Sequence, residues 1–82
     1  MERISTAKAR RALRDILLDA RRKAGLSQRE VARGLGRHQS YVARYESDHG
    51  RRRILLTEFV AIARALGQDP ARLLRTLIRK MR

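Results

Sequence analysis

The 82-residue chain has no cysteine and no tryptophan, a single proline, one phenylalanine and two tyrosines. Without cysteine there is no disulfide framework and no thiolate metal site, so packing, helped by any dimerisation, has to supply the stability. Such a composition fits a reducing cytoplasm. No apolar run approaches the roughly 18 residues that span a bilayer, and the N-terminus lacks the apolar centre of a secretory signal, so a soluble, cytoplasmic protein is expected. Acidic residues are scarce too: 8 Asp plus Glu stand against 21 Lys plus Arg, a formal net charge of +13. That imbalance calls for a polyanionic partner, with nucleic acid first. Anionic membranes and acidic proteins attract the same charge, so residue order has to choose. The length supports one small core, hence a single domain over residues 1–82 with residues 1–6 free to fray.

Hydrophobic spacing predicts five helices and no strand. From Ser5 to Ala24 there is neither Pro nor Gly, and Leu13, Ile16, Leu17, Ala20 and Ala24 recur at amphipathic spacing up to a stop at Gly25. Ser27 and Glu30 have the spacing of a capping box, so a second helix starts near Gln28, buries Val31, Ala32 and Leu35, and loosens at Gly34 and Gly36. A third runs from about Gln39 to Glu46 with Val42 and Tyr45 inward, although His38 is a poor cap. Asp48, His49, Gly50 and Arg51 to Arg53 break the period as a basic loop. Phe59, Ile62, Ala63 and Leu66 restore it until Gly67. Asp69 and Pro70 then open a fifth helix whose Leu73, Leu74, Leu77, Ile78 and Met81 form a broad apolar band. The expected fold is an all-α domain of five helices.

Leu26 to Glu46 thus reads as two short helices joined by a tight glycine turn in a basic chain, the outline of a DNA-binding helix-turn-helix at about residues 27–46. The order of pieces resembles the Cro and phage-repressor type of helix-turn-helix domain, the XRE family, whose fold is lambda-repressor-like. The resemblance spans roughly Ala12 to Leu74. It rests on Gly25-Leu26-Ser27-Gln28, Val31-Ala32, Leu35-Gly36, Gln39-Ser40-Tyr41-Val42, Tyr45-Glu46 and Ala65-Leu66-Gly67. Each piece alone is weak, whereas six in order and spacing are specific.

By that resemblance the third helix enters a major groove about 12 Å wide, where residues near its N-terminus meet base edges. Those residues are Gln39, Ser40 and, one turn on, Arg44. Glutamine suits adenine and arginine suits guanine, each through paired hydrogen bonds; Ser40 is less selective and also suits phosphate. The alternative for all three is an ordinary solvated helix face. Gln28, at the start of the second helix, is placed for a phosphate and, by resemblance, for bracing Gln39. Arg29 and Arg37 are backbone candidates or plain exposed charges. Arg51, Arg52 and Arg53 are candidates for the backbone or a narrow minor groove, against a solvated charge run. The resemblance also implies a structural ion pair between Arg21 and Glu46. Two departures from the family's pattern bear on the loop: Asp48 and His49 lengthen it, and Leu55 stands where an acidic cap is more usual.

His38 and His49 lack companion ligands, so no metal or cofactor is expected, and no nucleophile and base are arranged for catalysis. The chain reads as a non-enzyme. Val31, Val42, Phe59, Ile62 and Leu66 read as core, and Tyr41 as packing or a residue near the DNA backbone. Because one recognition helix covers few base pairs, a homodimer on double-stranded DNA is expected, with Leu74, Ile78 and Met81 as candidate contacts or as cover for the chain's own core. The leading expectation is a small transcriptional regulator, of repressor type, binding an operator. The alternatives are an antitoxin or accessory subunit that also binds a protein, and sequence-independent nucleic-acid binding with steep salt dependence.

Overall fold

The computed structural model describes residues 6–47 and 53–82. Five helices follow one another: α1 (Thr6–Lys23), α2 (Gln28–Leu35), α3 (Gln39–Glu46), α4 (Leu56–Ala65) and α5 (Pro70–Met81). No strand occurs among the described residues, so the fold is the all-α, five-helix one that the periodicities predict. None of these helices is long and apolar enough to cross a membrane.

Local chemistry sets most of the boundaries. Gly25 closes α1 at φ 71°, and two backbone bonds, Gly25 to the Arg22 carbonyl and Leu26 to the Arg21 carbonyl, complete the reversal. Gly36 repeats this arrangement at φ 65°, with its own amide on Arg33 and the Arg37 amide on Ala32, and so makes the turn between α2 and α3. The capping box of α2 is complete: Ser27 Oγ accepts from the Glu30 amide at 3.0 Å, and Glu30 Oε1 accepts from the Ser27 amide at 2.9 Å. Asp69 Oδ1 caps α5 through the Ala71 amide at 3.0 Å, with Pro70 in the first turn. His38 precedes α3 without a side-chain cap bond.

Leu55 has no acceptor to offer at the start of α4, but its own amide is satisfied by Glu58. One Glu58 oxygen takes the Leu55 amide at 3.0 Å, while the other accepts from the Tyr41 hydroxyl. This is the returning half of a capping box; the first amides of α4 still lack a side-chain acceptor at Leu55, and Glu58 also ties α4 to α3.

The core draws a branched aliphatic side chain from each of four helices: Leu17, Val31, Val42 and Ile62 are all essentially closed to solvent. Ile16, Ala32, Tyr41, Tyr45, Phe59, Leu66 and Leu73 surround them. Truncating a buried leucine or isoleucine to alanine costs about 2–5 kcal/mol, a large share of the roughly 5–15 kcal/mol by which a domain is stable. Against this core α2 packs on α3 and α4, while α1 spans α3 and α5. The apolar band of α5 divides in two. Leu73, Leu77 and Met81, four residues apart, turn inward, and Leu74 and Ile78 lie 37% and 47% exposed on the next stripe.

Candidate nucleic-acid interface

Arg21 reaches across from the last turn of α1 to the last residue of α3. Its Nε donates to Glu46 Oε2 at 2.7 Å and its Nη2 to Glu46 Oε1 at 3.0 Å, a bidentate pair with side chains only 14% and 4% exposed. The third guanidinium nitrogen, Nη1, donates to the Leu26 carbonyl at 2.8 Å, and the Leu26 amide returns a bond to the Arg21 carbonyl. The start of the helix-turn-helix is thus clipped to α1 at both backbone groups of one residue. Hydrogen bonding and charge from Glu46 raise the Arg21 pKa, with burial opposing, so the guanidinium is held charged.

From Glu46 a second chain of bonds runs outward. Gln28 Nε2 donates to Glu46 Oε1 at 2.9 Å, Gln39 Nε2 donates to Gln28 Oε1 at 3.2 Å, and Arg29 Nε donates to Gln39 Oε1 at 3.3 Å. Ion chemistry fixes the direction. A carboxylate only accepts, so Gln28 must show it the NH2 group; Gln28 then has its oxygen left for Gln39, which must answer with its own NH2. The Gln39 oxygen is left toward Arg29, which only donates. One buried charge therefore decides which way an exposed glutamine amide faces at the start of α3. Each amide oxygen has two lone pairs and each amide nitrogen two hydrogens, so Gln39 keeps one acceptor site and one donor site beyond those it uses.

Around that amide the turn gathers charge. Arg29, Arg33, Arg37, Gln39 and Ser40 line one shallow depression between α2 and α3. Arg37 lies with its guanidinium carbon 5.0 Å from the centre of the Tyr41 ring, a cation–π contact that steers a long side chain. Tyr41 is itself buried and stacks edge-on to Tyr45 at 5.8 Å, so packing is its role here. Arg44 is exposed one turn beyond Ser40. Arg53 lies apart, beside residues of α1 and α5. Arg51 and Arg52 fall outside the described residues.

Arg33 was not among the candidates read from the sequence. Its position late in α2 carries no motif, and only the fold brings it to the same depression as Gln39. Leu55, noted from the sequence only for its place at a helix start, and Leu56 beside it are 64% and 69% exposed. Among the described residues no cluster of His, Asp and Glu has the arrangement of a metal site.

The arrangement is two helices, a glycine turn and a basic, amide-presenting N-terminus on the second helix, and family comparison places it. Residues 17–73 match the family model described as Helix-turn-helix, HTH_3. Among solved structures, an XRE-family like protein from Pseudomonas syringae pv. tomato str. DC3000 is 40% identical, with a TM-score of 0.80 over 90% of this chain and 88% of its own. The clp gene regulator ClgR from C. glutamicum is 26% identical, with a TM-score of 0.77 over 90% of this chain and 94% of its own. No significant match occurs among curated protein sequences. The chain belongs to the XRE family of helix-turn-helix proteins.

Proposed function

We propose that the protein is a transcriptional regulator that binds an operator in double-stranded DNA, laying α3 in the major groove and reading bases with Gln39, Ser40 and Arg44. The observation that carries this reading is the Glu46–Gln28–Gln39 chain, which holds an exposed amide in one orientation. Its remaining acceptor and donor match the paired N6 and N7 pattern of adenine, so Gln39 need not release Gln28 or Arg29 to read a base. A fixed amide also loses less freedom on binding than a mobile one. Such a device has no use on a surface that is merely solvated. It also speaks against sequence-independent coating by charge, for which arginines suffice.

Gln28, Arg29 and Arg37 are assigned to phosphates flanking those bases, joined by Arg33 from the same depression. Arg51 and Arg52 are assigned to the backbone beyond α3, while Arg53 lies beside α1 and α5. The +13 charge supplies the non-specific attraction. A homodimer reading an inverted repeat, with recognition helices about 34 Å apart, follows from how little DNA one α3 covers. Leu74 with Ile78 and Leu55 with Leu56 are the exposed apolar pairs open to a second copy, and Met81, turned inward, adds to the first pair only at its edge. The match to ClgR, a gene regulator, supports the regulatory role.

Selection of bound duplexes from a random library at near-physiological salt tests the proposal. Enrichment of an inverted repeat with half-sites about one helical turn apart supports it. Binding retained without any enriched sequence contradicts it.

A further inference from the structure

The N-terminal half of α1, the end of α3, the segment entering α4 and the end of α5 border a groove of about 560 Å³ that shares no lining residue with the Gln39 depression. That volume lies within the range of small-molecule sites, roughly 300–1,000 Å³. Its walls are aliphatic, from Leu13, Ile54, Leu77 and Met81. Its polar contributors are cations, Arg10, Arg11 and Arg53 among them, and no carboxylate belongs to the described lining. Arg14, which also borders it, is already bonded to Asp15 at 2.7 Å.

Among the described residues, two that line the groove have polar atoms closed to solvent and without a hydrogen-bond partner: the Tyr45 hydroxyl and Arg10 Nε. Tyr45 is 5% exposed. A phenylalanine would give the same edge-on contact to Tyr41 and leave no hydroxyl unsatisfied, so packing alone does not account for the tyrosine. Two unsatisfied donors in the wall of an aliphatic groove with a cationic border suit an oxygen anion that carries an apolar body and reaches them as the wall opens.

We propose that this groove is a binding site for a small aliphatic carboxylate, its chain along Leu13, Ile54, Leu77 and Met81 and its carboxylate accepting from Tyr45 and Arg10. The site is separate from the Gln39 surface and does not depend on what that surface binds. Burial raises the Tyr45 pKa well above the usual tyrosine value, with the Glu46 charge adding to it, so the phenol keeps its proton and remains a donor at any physiological pH. The flexible Met81 thioether at the end of α5 adapts the groove to chains of different length.

The test is titration of the whole DNA-free protein with octanoate, followed by amide NMR shifts and calorimetry, with 1-octanol and octyltrimethylammonium alongside. The expected result is saturable octanoate binding with shifts centred on Ala9 to Leu13, Ile54 and Leu77. The alcohol should bind at least about tenfold more weakly, which corresponds to about 1.4 kcal/mol, and the ammonium should not bind. Tyr45→Phe should weaken octanoate about tenfold while melting no lower than the parent, since the lost hydroxyl had no partner. The proposal is overturned by absence of saturation in the low millimolar range, by shifts centred elsewhere, by equal binding of the alcohol or the ammonium, or by octanoate affinity unchanged in Tyr45→Phe.

Discussion

Replacing Glu46 with glutamine keeps the size of the side chain and removes the charge on which two bond systems converge. In the parent, Glu46 accepts two bonds from Arg21 and one from Gln28. With side chains 14% and 4% exposed, the pair is far from the surface limit at which an ion pair contributes about 0–1 kcal/mol. Leaving a buried charge without its partner costs about 3–5 kcal/mol. Glutamine softens this, because its oxygen still accepts from Arg21, and because Arg21 keeps the Leu26 carbonyl. The expected loss is about 2–3 kcal/mol, given roughly 1.5–3 kcal/mol for a hydrogen bond to a charged group. For a domain of this size each kcal/mol moves the melting temperature by about 4–8 °C, so a drop of about 10–20 °C is expected in a circular-dichroism melt. Asp19→Asn is the control: Asp19 pairs with Lys23 on the α1 surface at 61% and 75% exposure, and its loss should cost less than about 0.5 kcal/mol. If Glu46→Gln melts no lower than Asp19→Asn, the reasoning about the buried pair is refuted.

Leu55→Asp supplies the acceptor missing at the start of α4 and removes an exposed apolar side chain, so stability should rise by about 0.5–1 kcal/mol in a denaturant titration; an unchanged midpoint contradicts the cap argument. The Ser27 amide, and after it the Ser27 hydroxyl, hold the Glu30 carboxyl below the usual glutamate range. A carboxyl lowered in the fold stabilises it above the unfolded-state value of about 4.3, and that contribution is lost as pH falls through the lowered native value. An NMR titration of Glu30 should show the low midpoint moving up toward the ordinary one in Ser27→Ala, and a midpoint already at the ordinary value contradicts the capping geometry. Arg44→Ala should relax preference at one base position by about 1–3 kcal/mol, whereas Arg37→Ala should weaken all sequences alike and reduce the salt slope by about 1. Anisotropy titrations on matched duplexes separate the two, and identical behaviour contradicts the assignment of roles.

The helix boundaries were legible because they are encoded locally. Ser27 with Glu30, Gly36, and Asp69 with Pro70 each act over three or four residues, within the span that a reader of the chain sees. Arg21 and Glu46 were nameable only through family resemblance, since 25 residues separate them and no spacing rule pairs them. The same resemblance suggested that Gln28 braces Gln39, but the polarity of that contact came from coordinates, where Glu46 appears as its origin. The Tyr41 bond to Glu58 had no local signal at all, because it joins a tyrosine on α3 to a carboxylate on α4, 17 positions further along the chain. The apolar band of α5 was read whole. A turn of about 100° per residue splits it, setting Leu73, Leu77 and Met81 against the fold and Leu74 and Ile78 away from it. Arg33, and the unpartnered Arg10 Nε and Tyr45 hydroxyl, became visible only when distant segments came to share a surface depression.

The most direct measurement is duplex selection run in parallel on the parent and on Gln39→Ala, with sequencing of the bound pools. The account predicts an inverted repeat in both, with preference lost at one position of each half-site in the variant and kept at the others. The same motif from both proteins, unchanged at every position, would contradict the claim that the Glu46–Gln28 chain holds Gln39 in place to read a base.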